Sequence, residues 1–105
     1  MIVKANNSKQ REFKGIKFEL LSIGKKTMVT KMNYNIGDKV PLHFHPNEQS
    51  GYVVSGEYII VIGEDKEILR QGDSYSIPKN IAHSLEVVIS GNIIDVFSPP
   101  RKDYL

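Results

Sequence analysis

Short runs of alternating apolar and polar positions dominate the chain. The clearest is KTMVTKMNY, where Met28, Thr30, Met32 and Tyr34 alternate with Val29, Lys31 and Asn33. Successive side chains of a strand point to opposite faces, so this pattern predicts a half-buried β-strand. KFELLSI, GEYIIVI, KEILR, SYSI, HSLEVV and NIIDVFS read the same way, and turn signals separate them at NIGDK, GEDK and QGD. No stretch carries helical periodicity with capping residues. Many short strands at near-regular spacing predict an all-β sandwich or barrel. GEYIIVI and NIIDVFS are apolar on both faces, which fits a barrel interior on one side and a second sheet or subunit on the other. Two prolines prevent the tail PPRKDYL from continuing a central strand, and it is expected to wrap over the surface.

Composition narrows the classes. At 105 residues, 40% hydrophobic and 25% charged, the chain fits one globular domain. The absence of cysteine excludes disulfides and thiolate sites and fits a reducing compartment. No segment is long and apolar enough to span a membrane, and MIVKANNSKQ lacks the apolar run of a signal peptide, so a cytoplasmic location is expected. A net charge of +2 is too small to imply a nucleic-acid partner. The N-terminal lysines (Lys4, Lys9, Lys14, Lys17, Lys25, Lys26) are scattered and read as a solvated surface.

The three histidines carry the candidate chemistry. His43 and His45 stand one residue apart on a predicted strand and so share a face, with Phe44 opposite. Gln49 can return to the same interior after the Pro46–Asn47–Glu48 bend, whereas Glu48 and Tyr52 are out of phase with it. His83 lies far along the chain. Three imidazoles and one amide oxygen could hold a transition ion; the alternative reading is surface histidines or hydrogen-bonded core histidines.

The spacing resembles the cupins. GDKVPLHFHPNEQSGYVVSG (Gly37 to Gly56) is similar to their first motif: a glycine, five residues, two histidines one apart, a bend, a ligand and a closing glycine. GDSYSIPKNIAHSLEV (Gly72 to Val87) is similar to their second: a glycine, five residues, a proline, and a histidine five further on. The resemblance implies a double-stranded β-helix, or jelly-roll barrel. Its core would span about 26–98, with a tail at 99–105. It assigns metal-ligand roles to His43, His45, Gln49 and His83, and one divalent ion of the Zn, Ni, Fe, Mn or Cu kind. Three positions depart from the pattern. Asn80 stands where a glycine is usual, Val87 where an asparagine often stands, and Gln49 replaces the usual glutamate. With four neutral ligands an ion keeps its full charge, and the carboxylate used by many iron oxygenases is missing. A non-redox role in polarising an oxygen is therefore favoured.

Strand alternation also sets Ile93, Asp95 and Phe97 on one face of NIIDVFS. An aspartate in such a run must be paired, exposed or functional. The bend HPNEQ together with DVFSPPRKDY resembles the KdgF-type cupins of pectin and alginate catabolism. Those proteins convert 4,5-unsaturated uronate monosaccharides to linear, ketonised sugars. The resemblance implies that Asp95 is the acid–base residue and that Phe97 and Arg101 line the substrate site. The implied partner is a small carboxylated sugar, and a homodimer is expected. Two other readings stay open: a dioxygenase using the same metal site, and a non-catalytic sugar- or metal-binding module.

Overall fold

The computed structural model describes residues 1–105. Ten strands follow one another: β1 (Lys9–Phe13), β2 (Ile16–Ile23), β3 (Met28–Tyr34), β4 (Lys39–His43), β5 (Glu48–Val53), β6 (Glu57–Ile62), β7 (Asp65–Leu69), β8 (Ser74–Ile77), β9 (His83–Ile89) and β10 (Gly91–Ser98). Single 3₁₀ turns lie at Ala5–Asn7 and Lys102–Tyr104. The strands form two antiparallel sheets, ordered β1-β2-β3-β10-β5-β8 and β4-β9-β6-β7.

Alternation decides what lies between the sheets. Met28, Thr30, Met32 and Tyr34 of β3 are buried, and Ile93, Asp95 and Phe97 of β10 follow suit. Tyr58 and Ile60 of β6 and Leu85 and Val87 of β9 meet them from the facing sheet. The opposite faces of β6 and β10, which include Ile59, Val61, Ile94 and Val96, are half-buried. One end of the barrel is closed by Tyr34 against Tyr58, ring centroids 5.5 Å apart. Gly56 makes the tight turn there. Its φ is +93°, and a Cβ would meet the Ile89 carbonyl oxygen at 2.7 Å.

Three expectations change. β1 precedes the first predicted strand; KQREF is almost wholly polar, and it is a strand because it pairs along β2 from Lys9–Leu20 to Phe13–Ile16. β4 ends at His43, so His45 stands in the following bend and not on the strand. The tail does not lie over the surface. Tyr104 and Arg101 are each only 5% exposed, and the Tyr104 ring packs on Phe18 with centroids 4.5 Å apart. The two prolines still end β10 at Ser98, and burial of the Tyr104 ring holds the segment beyond them against the barrel. The tail therefore folds inward and helps line the open end of the barrel.

Candidate metal centre and active site

β4 and β9 pair with His43 directly opposite His83, and the two rings lie 4.2 Å apart. The bend after β4 brings His45 to 4.8 Å from His83. Two hydrogen bonds fix that bend. Asn80 donates its backbone N–H to the His45 carbonyl at 2.8 Å, and the Asn47 side chain donates to the Pro99 carbonyl at 2.6 Å. Asn80 has a φ of +63°. Asparagine tolerates this left-handed conformation better than most residues, which explains how it substitutes for a glycine here. Val87 is a packed core residue, 3% exposed.

Each imidazole donates through Nδ1 to a main-chain carbonyl: His43 to Pro41 at 2.8 Å, His45 to Asn47 at 2.9 Å, and His83 to Ile81 at 2.8 Å. A carbonyl only accepts, so these bonds place the ring proton on Nδ1 and leave Nε2 as a lone pair. Burial lowers the pKa of all three rings, that of His83 to about 4, so they are neutral at pH 7. One nitrogen from each ring lies within 4.8 Å of the others. His83 Nε2 is buried without any hydrogen-bond partner. Gln49 Oε1 lies 3.1 Å from His45 Nε2. With the proton on Nδ1 these are two acceptors facing each other. An unpartnered buried nitrogen and two opposed acceptors are what a cation would satisfy, so the residues present fit a divalent transition ion.

Asp95 sits beside this cluster, 2% exposed. Burial raises its pKa from 3.8 to about 6, against the opposing pull of Tyr75, Gln49 and Arg101. The Tyr75 hydroxyl donates to Asp95 Oδ1 at 2.6 Å. Arg101 lies in an aromatic cage, 5.1 Å from the Phe13 ring centroid, 5.3 Å from Phe97 and 4.0 Å from Tyr104. Its Nε and Nη2 donate to the two Asp103 oxygens at 3.2 and 2.6 Å, and Nη1 donates to the Tyr104 hydroxyl at 3.0 Å. Of the five guanidinium N–H groups, one on each terminal nitrogen is left for a ligand. A single pocket at the open end of the barrel is lined by His43, His83, Gln49, Asp95, Phe97 and Arg101, with Tyr75 and Tyr104 in its wall. His45 is outside that lining and meets Phe97 edge-on, ring centroids 5.8 Å apart.

All seven singled-out residues therefore converge on one end of the barrel. Glu48 is exposed, and Tyr52 is 51% exposed, as their phase requires. Tyr75, Asn47 and Asp103 were not singled out. Tyr75 is an inward position in the alternation of Ser74–Ile77, while Asn47 and Asp103 lie within the HPNEQ and DVFSPPRKDY stretches with no role assigned to them.

Comparison with known proteins agrees with this geometry. Residues 30–93 match the family model described as "Cupin domain". The chain is 33% identical over 93 residues to the pectin degradation protein KdgF of Dickeya dadantii (strain 3937), covering 87% of this chain and 84% of that protein. An RmlC-like cupin from Shewanella frigidimarina NCIMB 400 superposes with a TM-score of 0.92 at 27% identity, covering 99% of this chain and 95% of that one. KdgF from Halomonas sp. superposes with a TM-score of 0.87 at 24% identity, covering 98% and 96%, a likeness of fold. An antiparallel two-sheet barrel with its histidines at the open end, matched over most of its length, belongs to the cupin family, and the chain is a homologue of KdgF.

Proposed function

We propose that the chain is a metal-dependent enzyme that opens and ketonises 4,5-unsaturated uronate monosaccharides of the kind released from pectin or alginate. The observation that carries this reading is Asp95: a buried carboxyl with a pKa of about 6, sharing one pocket with His43 and His83 of the neutral imidazole triplet and with a caged arginine. The similarity to a protein named for pectin degradation supports the substrate class.

The conversion is an isomerisation. The anomeric hydroxyl loses its proton, the bond from C1 to the ring oxygen breaks, and C1 becomes an aldehyde. The ring oxygen's electrons form a ketone at C5, and C4 gains a proton. One carboxyl can accept the first proton and deliver the second, and it does so best with a pKa near the working pH. Asp95 has such a pKa. Arg101 offers its two free N–H groups to the sugar carboxylate. Phe97, 1% exposed, gives the pocket an apolar wall that excludes water. His43, His45, His83 and Gln49 would hold the ion, which when bound supplies positive charge to polarise a sugar oxygen. Four neutral ligands favour this role over oxygen chemistry.

The half-buried outer positions Ile94 and Val96 support a homodimer in which a second copy covers them. A cytoplasmic location belongs to the same reading. Reaction in D₂O tests the chemistry. The expected product is an open-chain ketone carrying deuterium at C4. An unchanged ring, or a product without deuterium at C4, would contradict the assignment.

A further inference from the structure

Four inward positions form one row across the larger sheet. Thr30 of β3 pairs with Asp95 of β10, Asp95 with Gly51 of β5, and Gly51 with Tyr75 of β8. Tyr75 is thus two strands away from Asp95, a span of about 10 Å between main chains. The phenol bridges it only because position 51 has no side chain. A Cβ on Gly51 would lie 2.1 Å from a Tyr75 ring carbon. Through this lane the Tyr75 hydroxyl reaches Asp95 Oδ1.

Gln49 is the next inward position on β5, diagonal to Asp95 across the β5–β10 pairing and in the same pocket wall, and its amide helps keep the Asp95 carboxyl ionised. A carboxylate accepts and never donates. The amide must therefore turn an N–H to Asp95, which leaves Oε1 toward the imidazoles, 3.1 Å from His45 Nε2. Which end of this amide faces the histidines is set by Asp95, and Asp95 is held by Tyr75. We propose that Tyr75 is a positioning residue for the metal centre: its hydroxyl clamps Asp95, which holds the Gln49 amide with its oxygen toward the three imidazoles. This rests on the metal-binding reading of the site. It also gives a reason for a glutamine at this position, since a glutamate would set two carboxylates against each other across the same gap.

Calorimetric binding of Zn²⁺ to metal-stripped protein tests the relay without any substrate, so the uronate assignment has no bearing on the result. The four proteins are the wild type, Tyr75→Phe, Gln49→Ala and the double variant. Outer partners of metal ligands typically contribute about 10–100-fold to affinity. Tyr75→Phe is expected to weaken Zn²⁺ binding by roughly tenfold or more. In the Gln49→Ala background the same change should do nothing further, the non-additivity of residues acting in series. Asp95→Ala reaches the amide from the middle of the relay and should show the same dependence on Gln49. Equal affinity in wild type and Tyr75→Phe would overturn the proposal, and so would an equal loss in both backgrounds. A wild type that binds no Zn²⁺ would overturn the metal reading and this inference together.

Discussion

Asp95 combines two demands that pull apart. Its burial raises the pKa toward the working range of a proton shuttle, and the same burial makes its charge costly to the fold. In metal-free protein the folded carboxyl holds its proton to about pH 6, against 3.8 for the ordinary group. Between those values the folded state binds more protons than the unfolded state, so this residue makes stability fall as pH rises, by roughly 3 kcal/mol in all. His83 acts in the opposite direction. Its pKa drops from 6.5 to about 4, so the unfolded state binds more protons and stability rises with pH across that window. His43 and His45 shift in the same direction as His83, so the metal-free wild type should gain stability as pH rises between about 4 and 6.5, with Asp95 reducing the slope. Asp95→Asn should be more stable than wild type at neutral pH and should gain stability steadily with pH; urea unfolding at several pH values reads both. At matched metal occupancy the same variant should lose about 10²–10⁴-fold in turnover. Near-normal turnover would remove Asp95 as the proton carrier. Arg101→Lys keeps the charge but loses the paired donors, so a higher KM with little change in kcat is expected from steady-state kinetics. Asp95 was legible in the sequence because strand alternation is strict. The Asp103 and Tyr104 partners of Arg101 were not, because they depend on a tail that leaves the strand pattern.

At the scale of elements, the site is built where regular structure stops. β4 ends at His43, and the position of His45 depends on hydrogen bonds from Asn80 and to Asn47. Sequence spacing located both histidines on one side of the fold, but it assigned His45 to the strand that ends at His43. β1 left no trace because an edge strand with one polar face needs only a partner, here β2, and no apolar alternation. The tail followed neither rule. Tyr104 packs against Phe13, Phe18 and Phe97 from three elements, so it ties β1, β2 and β10 together beneath the Arg101 cage. Truncating a buried aromatic ring typically costs about 3–5 kcal/mol. Tyr104→Ala should lower stability by about that amount in denaturant unfolding, and should raise KM as Arg101 loses a cage wall. A variant with wild-type stability would show that the tail rests on the barrel without supporting it.

For the whole molecule, the family and the barrel were readable because two histidine motifs at fixed separation bring their histidines together at the paired strands β4 and β9. The sheet order and the inward tail were not, since pairing between distant strands leaves no local signal. Elemental analysis should find one divalent ion per chain, removed by a chelator and restored by reconstitution. Sedimentation at micromolar concentration should give about twice the 11.9 kDa chain mass. A clean monomer would remove the dimer and leave the metal site intact.

The most direct measurement follows the absorbance of the conjugated double bond of lyase-generated unsaturated galacturonate in the presence of the protein. Metal-loaded protein should remove that absorbance well above the uncatalysed rate, chelated protein should not, and readded metal should restore the rate. Full metal occupancy with no loss of absorbance above the uncatalysed rate would contradict the proposed activity.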